Sequence, residues 1–239
     1  MKYIYGPVNS RRLGFSLGIS LTPYKLCSFD CVYCQLGKTT KKTIERKEYI
    51  DIKEIVLEFK LWLAANSAKI NELNYITFSG MGEPTLNTRI GQLILEIKSL
   101  VSVPVAVITN SCFLSDPLLR KEIITSDLIV PSLDAVTQDV FEKIDRPDKK
   151  INLESIIQGL IDLRKEYSGQ IWLEVMLVKG VNEDLTHINK LREIIKKINP
   201  DKVHLNSPVR LTAECDVVSV ERARLEEIKG ILGDKCEIV

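Results

Sequence analysis

A single α/β domain built on a parallel sheet is the fold this sequence predicts, and three observations predict it. Short apolar runs rich in Val, Ile and aromatic residues recur six times, over residues 17–21, 75–78, 103–108, 128–133, 171–178 and 202–205. Several are nearly continuous, as strands covered on both faces are. Amphipathic helical patterns stand between them, and this alternation implies parallel strands joined by right-handed crossovers. The 239 residues, 45% hydrophobic and 27% charged, have an ordinary globular composition that excludes intrinsic disorder. No repeat, low-complexity tract or long Gly/Ser/Pro linker divides the chain, so residues 1–239 read as one domain.

Taken in order, residues 1–15 read as a short N-terminal extension, and the first strand runs into a loop over 22–38. Ile52, Ile55, Val56, Phe59 and Trp62 then share one helical face, a core stripe. The strands at 75–78, 103–108 and 128–133 follow. Leu153, Ile156, Ile157, Leu160 and Ile161 keep the i, i+3, i+4 pattern of a second clear helix. Within the fifth strand Glu174 is a carboxylate in apolar surroundings. Such a group is costly unless partnered, so it points either to a polar barrel interior or to solvent at an edge. The next helix buries Leu185, Ile188, Leu191, Ile195 and Ile198 and carries His187 on its surface. His204 lies in the sixth strand, where a core or surface role is the plain reading. A last helix starts with Ser219 as N-cap and Glu221 in its first turn, burying Leu225, Ile228 and Leu232. Six units satisfy either an open doubly wound sheet or a barrel-like closure, and fall short of a complete (β/α)₈ barrel. In both, chemistry belongs at the carboxyl ends of the strands.

Charge names no partner in bulk: 33 Lys+Arg against 32 Asp+Glu give +1. Its distribution is uneven. Nine basic residues against Asp30, Glu45 and Glu48 give +6 up to Ile50, leaving −5 for the rest. The longest uncharged stretch, between Lys98 and Asp116, contains Pro104 and Asn110 and is too short and polar to span a bilayer. No apolar signal-peptide core opens the chain. A cytoplasmic location without membrane association is therefore expected. In that reducing setting the six cysteines point to metal, cluster or redox chemistry before disulfides.

Three cysteines stand together in Cys27-Ser28-Phe29-Asp30-Cys31-Val32-Tyr33-Cys34, a C-x-x-x-C-x-x-C spacing. Iron–sulfur cubanes are held by thiolates, usually four, and with three one iron is open to a substrate. A structural zinc site is the alternative, normally closed by four ligands. Its fourth would come from Cys112, Cys215, Cys236, His187 or His204, none of them near in sequence. That alternative corresponds to a non-enzymatic zinc or electron-transfer protein. Three unrelated buried cysteines are the remaining reading.

This loop, with Tyr33 before its third cysteine, resembles the signature of the radical S-adenosylmethionine (SAM) superfamily. The resemblance implies a partial (β/α)₆ barrel and a [4Fe–4S] cluster on Cys27, Cys31 and Cys34. The unique iron would chelate the amino and carboxylate groups of SAM. A reductase such as flavodoxin or ferredoxin would supply the electron that releases a 5′-deoxyadenosyl radical. Ser79-Gly80-Met81-Gly82-Glu83-Pro84 resembles the family's Gly-Gly-Glu motif, departing at Met81 and Gly82, and implies that Gly80, Gly82 and Glu83 meet the SAM amino group. By the same resemblance Tyr33, Asn110, Ser132 and Asp134 line the cofactor site, the last two suited to ribose hydroxyls or the carboxylate. On local evidence alone Asp134 could equally cap the next helix. Met176 and Val178 stand where the family contacts adenine, and Asn206 and Arg210 stand at the end of the sixth strand as ligand contacts.

The run Tyr5-Gly6-Pro7-Val8-Asn9-Ser10-Arg11-Arg12-Leu13-Gly14, with Cys31 to Gln35 and Leu173 to Met176, is similar to a branch of small radical SAM proteins. That branch is related to the enzyme that makes the tricyclic wyosine base in transfer RNA (tRNA). Wyosine synthase carries extra N-terminal cysteines, whereas none precedes Cys27 here, so its two-carbon transfer does not carry over. The resemblance points to tRNA as partner, with Lys38, Lys41, Lys42, Arg46 and Lys47 placing positive charge beside the barrel mouth. Compact single-cluster barrels also resemble glycyl-radical activating enzymes, the alternative function. Cys112 falls near the active face, and Cys215 and Cys236 have no spacing for a second cluster.

Overall fold

The computed structural model describes residues Met1–Val239. Its elements run β1 (Ile4–Ser10), β2 (Gly14–Ile19), β3 (Leu26–Cys27), β4 (Lys41–Lys42), α1 (Ile52–Ala65), β5 (Tyr75–Phe78), α2 (Ile90–Leu100), β6 (Val105–Thr109), α3 (Pro117–Ile123), β7 (Leu128–Pro131), α4 (Gln138–Ile144), α5 (Leu153–Glu166), β8 (Gln170–Met176), α6 (Leu185–Ile198), β9 (Lys202–Asn206), α7 (Arg222–Leu232) and β10 (Cys236–Ile238). Eight strands form one sheet in the order β1-β2-β5-β6-β7-β8-β9-β10. Only the β1–β2 pair is antiparallel. All six predicted strands are present and parallel, with β10 added beside β9. β1 and β10 are the two edges, so no ladder closes the sheet. It nevertheless curves, because residues of β1, β6, β8 and β9 and those just after β5 and β7 line one cavity. The expected partial barrel is the observed fold.

Period-2 alternation sorts the strand residues between two cores. Outward, Val105, Val107, Ile129, Leu173, Val175 and Val203 join the main hydrophobic core with the buried helix faces. Inward, Ala106, Leu128 and Val130 pack with Leu13, flanked by Tyr75, Ile108 and Trp172. This inner cluster fills the amino-terminal end of the barrel and leaves the carboxyl end open. Helices start where side chains take up orphan amides: Asp51 in α1, Asp116 with Pro117 in α3, Asn152 in α5 and Asp184 in α6. Each such cap contributes about 0.5–2 kcal/mol.

Three expectations change. Residues 4–10 are an integral edge strand, which a pattern search misses because β1 is half-exposed and includes Gly6, Pro7 and Asn9. The last helix begins two residues later than read, with Glu221 at its N-cap. Ser219 instead donates its hydroxyl to the Pro208 carbonyl and bridges Val178, which pins the 207–219 loop to the end of β8. His187 is only 4% exposed, because it lies beside Ile188 and Leu191 on the face α6 turns inward.

Candidate active site

The cysteine loop is fixed at both ends. β3 pairs with β4, so the chain entering at Leu26 and the chain leaving at Lys41 lie side by side. Leu26 also bridges Gly82 in the turn after β5. A Cβ on Gly82 would stand 1.9 Å from the Leu26 carbonyl oxygen, so only glycine permits this backbone contact. Within the loop the Cys34 amide donates to the Cys31 carbonyl at 3.1 Å, and the Val32 amide donates to Ile144 at 2.9 Å.

All three thiols are half-buried and each has its own polar neighbour. Asn110 Nδ2 is 3.6 Å from Cys27 Sγ, Asp145 Oδ1 is 3.4 Å from Cys31 Sγ, and Lys25 Nζ is 3.2 Å from Cys34 Sγ. Burial, and then the Glu83 carboxylate, push the Cys27 thiol up to about 12. Burial followed by Asp145 pushes Cys31 well above the ordinary thiol range. Thiolates here require a cationic group to replace their protons. Three soft donors on one loop, with Cys34 on the wall of a cavity, fit a cluster with one iron left free of protein.

At the β5 end, Gly80 has φ +109°, and a Cβ there would meet Ser20 Oγ at 2.5 Å and the Tyr5 ring at 2.8 Å. Glu83 is 2% exposed. One carboxylate oxygen accepts from the Thr85 amide (3.1 Å), the Thr85 hydroxyl (2.6 Å) and the Thr109 hydroxyl (2.6 Å), and the other accepts from the Asn110 amide (2.8 Å). Burial pushes its pKa up, and these four donors oppose that rise. Glu83 therefore ties the carboxyl end of β5 to that of β6 and does not line the cavity. Asn110 is equally committed: its amide donates to Ser28 Oγ at 2.9 Å and its carbonyl accepts from Cys112 N at 3.1 Å. Cys112 is buried behind this contact and accepts from Ser28 Oγ at 2.9 Å.

Across the loop the Tyr33 hydroxyl donates to Asp134 Oδ2, and Asp134 Oδ1 accepts from the Met176 amide at 2.8 Å. Burial raises the Asp134 carboxyl to about 7. Thr137, not Asp134, stands at the N-cap of α4. Tyr33, Gly80, Ser132, Asp134, Met176 and Asn206 face one cavity of about 520 Å³, together with Cys34. Gly82, Glu83 and Asn110 support its rim from behind. Val178 packs into the main core, its amide bonded to Asn182 Oδ1 at 2.8 Å, and does not reach the cavity.

Glu174 resolves to the barrel interior. It pairs with Arg12, and its second oxygen accepts from Asn206 Nδ2 at 3.3 Å. Arg11 donates to Asn206 Oδ1 at 3.2 Å and to the Val239 main-chain oxygen at 2.9 Å. The β1–β2 turn thus reaches across the open seam to β8, β9 and the residue after β10. Tyr5 also enters the cavity, its hydroxyl 2.6 Å from Ser79 Oγ. Sequence reasoning missed Tyr5, Arg11 and Arg12 as wall residues. Of the basic segment, Lys41 and Lys42 are exposed, while Arg46 is held by Glu122 at 2.8 Å and Lys38 by Glu214 at 3.3 Å. A second cleft, of about 480 Å³ beside Lys179 and Arg224, lies away from the cysteines, and Lys179 there pairs with Glu221 at 2.7 Å.

The Radical SAM superfamily profile matches residues 21–191, the span that carries the cysteine loop and four of the strand ends. The chain belongs to the radical SAM superfamily. This radical SAM chain is 36% identical to a UPF0026 protein of Methanocaldococcus jannaschii, over 100% of its own length and 73% of that protein's. It is 38% identical over 99% of its length to the GTPase Obg of Brachyspira hyodysenteriae, and spans 34% of that longer protein. Among solved structures it is similar to TYW1 with a lysine–pyruvate adduct bound. The TM-score is 0.64 at 20% identity, covering 91% of this chain and 72% of the other. The radical SAM assignment makes the chain an enzyme. No helix is long and apolar enough to cross a membrane.

Proposed function

We propose that Cys27, Cys31 and Cys34 hold a [4Fe–4S] cluster, that SAM binds between this loop and the strand ends, and that the enzyme modifies a base of RNA, tRNA in the first place. A flavodoxin- or ferredoxin-type reductase is the electron donor in this reading. The observation that carries it is that Cys34, Tyr33 and the carboxyl ends of β5, β7, β8 and β9 open onto the same 520 Å³ cavity. A pocket of this size suits a ligand such as SAM. When bound and reduced, the cluster supplies the electron that breaks a sulfonium carbon–sulfur bond, so that an organic radical becomes available for hydrogen abstraction. The chain's own residues do the rest. Gly80 keeps the wall free of a side chain. Asp134 holds the Tyr33 ring and the Met176 backbone at fixed positions. Ser132 offers a hydroxyl on that wall. RNA is favoured by the likeness to TYW1, a wyosine synthase, and by exposed Lys41 and Lys42 directly after the loop.

Anaerobic reconstitution tests the reading. Iron and acid-labile sulfide are expected in cluster amounts, lost when the three cysteines are replaced by Ala and kept when Cys215 is. The reduced protein, given SAM and total RNA, is expected to yield 5′-deoxyadenosine. Comparison of modified nucleosides from cells with and without the gene then identifies the product. Stoichiometric zinc without sulfide, or no 5′-deoxyadenosine from fully clustered protein, overturns the proposal.

A further inference from the structure

Lys25 is the most deeply buried cation of the chain, at 3% exposure. Arg120, the next, holds Glu166 through two hydrogen bonds. Lys25 has no such carboxylate. Its ammonium meets one partner, Cys34 Sγ, at 3.2 Å. Its backbone stands at φ +54°, a left-handed conformation that residues other than glycine rarely adopt. Three contacts hold it there. The Lys25 amide donates to the Met81 carbonyl at 2.6 Å, in the glycine turn after β5. The Lys25 carbonyl accepts from the Lys41 amide at 3.2 Å and from the Thr40 hydroxyl at 3.4 Å. The residue is thus fixed between that turn and the cysteine loop, with its charge turned inward.

A buried ammonium is costly without a counter-charge. The acids around the loop are occupied elsewhere. Glu83 spends its oxygens on Thr85, Thr109 and Asn110, and Asp134 spends its own on Tyr33 and Met176. Asp30 accepts from the Thr39 amide, and Asp145 faces Cys31 Sγ. What remains is the sulfur of Cys34. A neutral thiol is a weak acceptor, so the contact becomes strong once that sulfur is a thiolate bound to iron. A four-iron core of charge 2+ on three thiolates carries one net negative charge, and two after it takes up an electron. Of the three sulfurs, that of Cys27 faces a neutral amide and that of Cys31 a carboxyl group; only Cys34 faces a cation.

We infer that Lys25 tunes the cluster's reduction potential: its ammonium, hydrogen-bonded to the Cys34 sulfur, favours the reduced and more negative state. The inference rests on the three cysteines holding the cluster proposed above. The step it assists is the arrival of one electron from the reductase on the iron–sulfur core. No bond forms or breaks in that step, no proton moves, and the ammonium keeps its charge. Net charge and hydrogen bonds to the sulfurs are the levers by which a protein sets such potentials. Lys25 is absent from the cavity wall that Cys34 lines. It therefore acts from behind Cys34 and leaves the ligand side of the cluster free.

The test is an EPR-monitored redox titration of anaerobically reconstituted protein without SAM, after iron and sulfide have been measured. Wild type is compared with Lys25→Met, Lys25→Gln and Lys25→Arg. Both neutral variants are expected to be harder to reduce, by about tenfold or more in the equilibrium constant, as loss of one nearby charge implies. For a one-electron couple, tenfold is a shift of about 59 mV to more negative potential. Lys25→Gln keeps a donor without the charge and should recover little. Lys25→Arg keeps the charge and should stay near wild type. Lys190→Met, exposed on α6, should change nothing. Neutral variants that hold full iron and titrate like wild type overturn the inference. So does an arginine variant shifted as far as the methionine one, because shape and not charge would then be what counts. A second readout uses wild type and survives any loss of iron in the neutral variants. Pulsed EPR of the reduced cluster, in protein made with lysine labelled by 15N at its side chain, is expected to show a coupled nitrogen that Lys25→Arg lacks. No such nitrogen in wild type overturns the contact. Wild type without iron and sulfide fails the cluster reading and this inference with it, whereas a cluster whose potential ignores Lys25 fails the inference alone.

Discussion

Glu83 offers the sharpest test of the site's construction, because the family motif and the geometry assign it different work. The motif makes it a ligand for the SAM ammonium, whereas the structure engages both oxygens with four donors inside the protein. Replacement by Ala leaves those donors facing a space that is 2% exposed in the folded chain. The Thr85 and Thr109 hydroxyls can rotate toward other acceptors, but the Thr85 and Asn110 amides cannot. Two buried amides without partners cost about 1–3 kcal/mol each, so Glu83→Ala is expected to lose about 2–6 kcal/mol. For a domain of this length that lowers the unfolding midpoint by at least about 4 °C. Glu83→Gln keeps the shape but presents an NH₂ to one side of the network, and about 1–3 kcal/mol of the loss should remain. The assay is urea and thermal unfolding of the cluster-free protein without SAM, with SAM affinity measured separately on reconstituted protein. If Glu83→Ala unfolds like wild type and only SAM affinity falls, the carboxylate serves the ligand and the network argument is wrong.

Other outcomes follow from the same contacts. Gly82→Ala places a methyl where the Leu26 carbonyl oxygen now lies 1.9 Å away, so the strand must move and reconstituted iron should fall sharply while the far-UV spectrum changes little. A full iron complement in that variant would refute the backbone contact. Burial lowers the pKa of His187, whose Nε2 has no partner. The unfolded chain then takes up that proton first, near the ordinary value of about 6.5. Stability should fall as pH drops from there toward the depressed folded value and level off below it. The decline should be shallower in His187→Gln, and equal slopes would sink the assignment. Arg46 donates to Glu122 and to the Thr85 carbonyl, each at 2.8 Å. Arg46→Glu should therefore lower stability and leave the salt dependence of RNA binding alone. Lys41→Glu and Lys42→Glu should weaken RNA binding and each reduce its salt slope by about 1.

The parts of this protein that were legible in sequence are those whose cause is local. The strands of the sheet interior are covered on both faces, so their apolar runs are nearly continuous and stand out unaided. The cysteine loop is legible because one core demands three thiols within a few residues. Tyr33, Asp134 and Met176 were found individually through resemblance. That they form one chain of contacts depends on strands β7 and β8 lying side by side, which the order of elements implies but does not detail. The direction in which Glu83 points was hidden. It is decided by Thr85, Thr109 and the Asn110 amide, and no spacing rule couples a glutamate to a hydroxyl 26 residues later.

The N-terminal hairpin shows the same limit from the other side. β1 is an edge strand, half-exposed and antiparallel, so it lacks the continuous apolar signal of its neighbours. Its turn presents Arg11 and Arg12 as two of nine basic residues in a positive segment, and composition assigns them to that excess. Their meaning comes from partners 162 and 195 residues away. A sheet that stops short of closure leaves a seam between its first and last strands, and polar groups facing such a seam need satisfaction from somewhere. Here the satisfaction crosses the seam: Glu174, isolated and costly on β8, is compensated by Arg12, and Asn206 links that pair to Arg11. The residue that looked most out of place in its strand is the anchor by which the hairpin is drawn over the cavity. Replacing Glu174 with Leu would suit the local apolar pattern, yet it would strand the Arg12 guanidinium in a largely buried wall. The hairpin should then detach from β8 while the cysteine loop, which is held independently through β3, β4 and Gly82, stays in place.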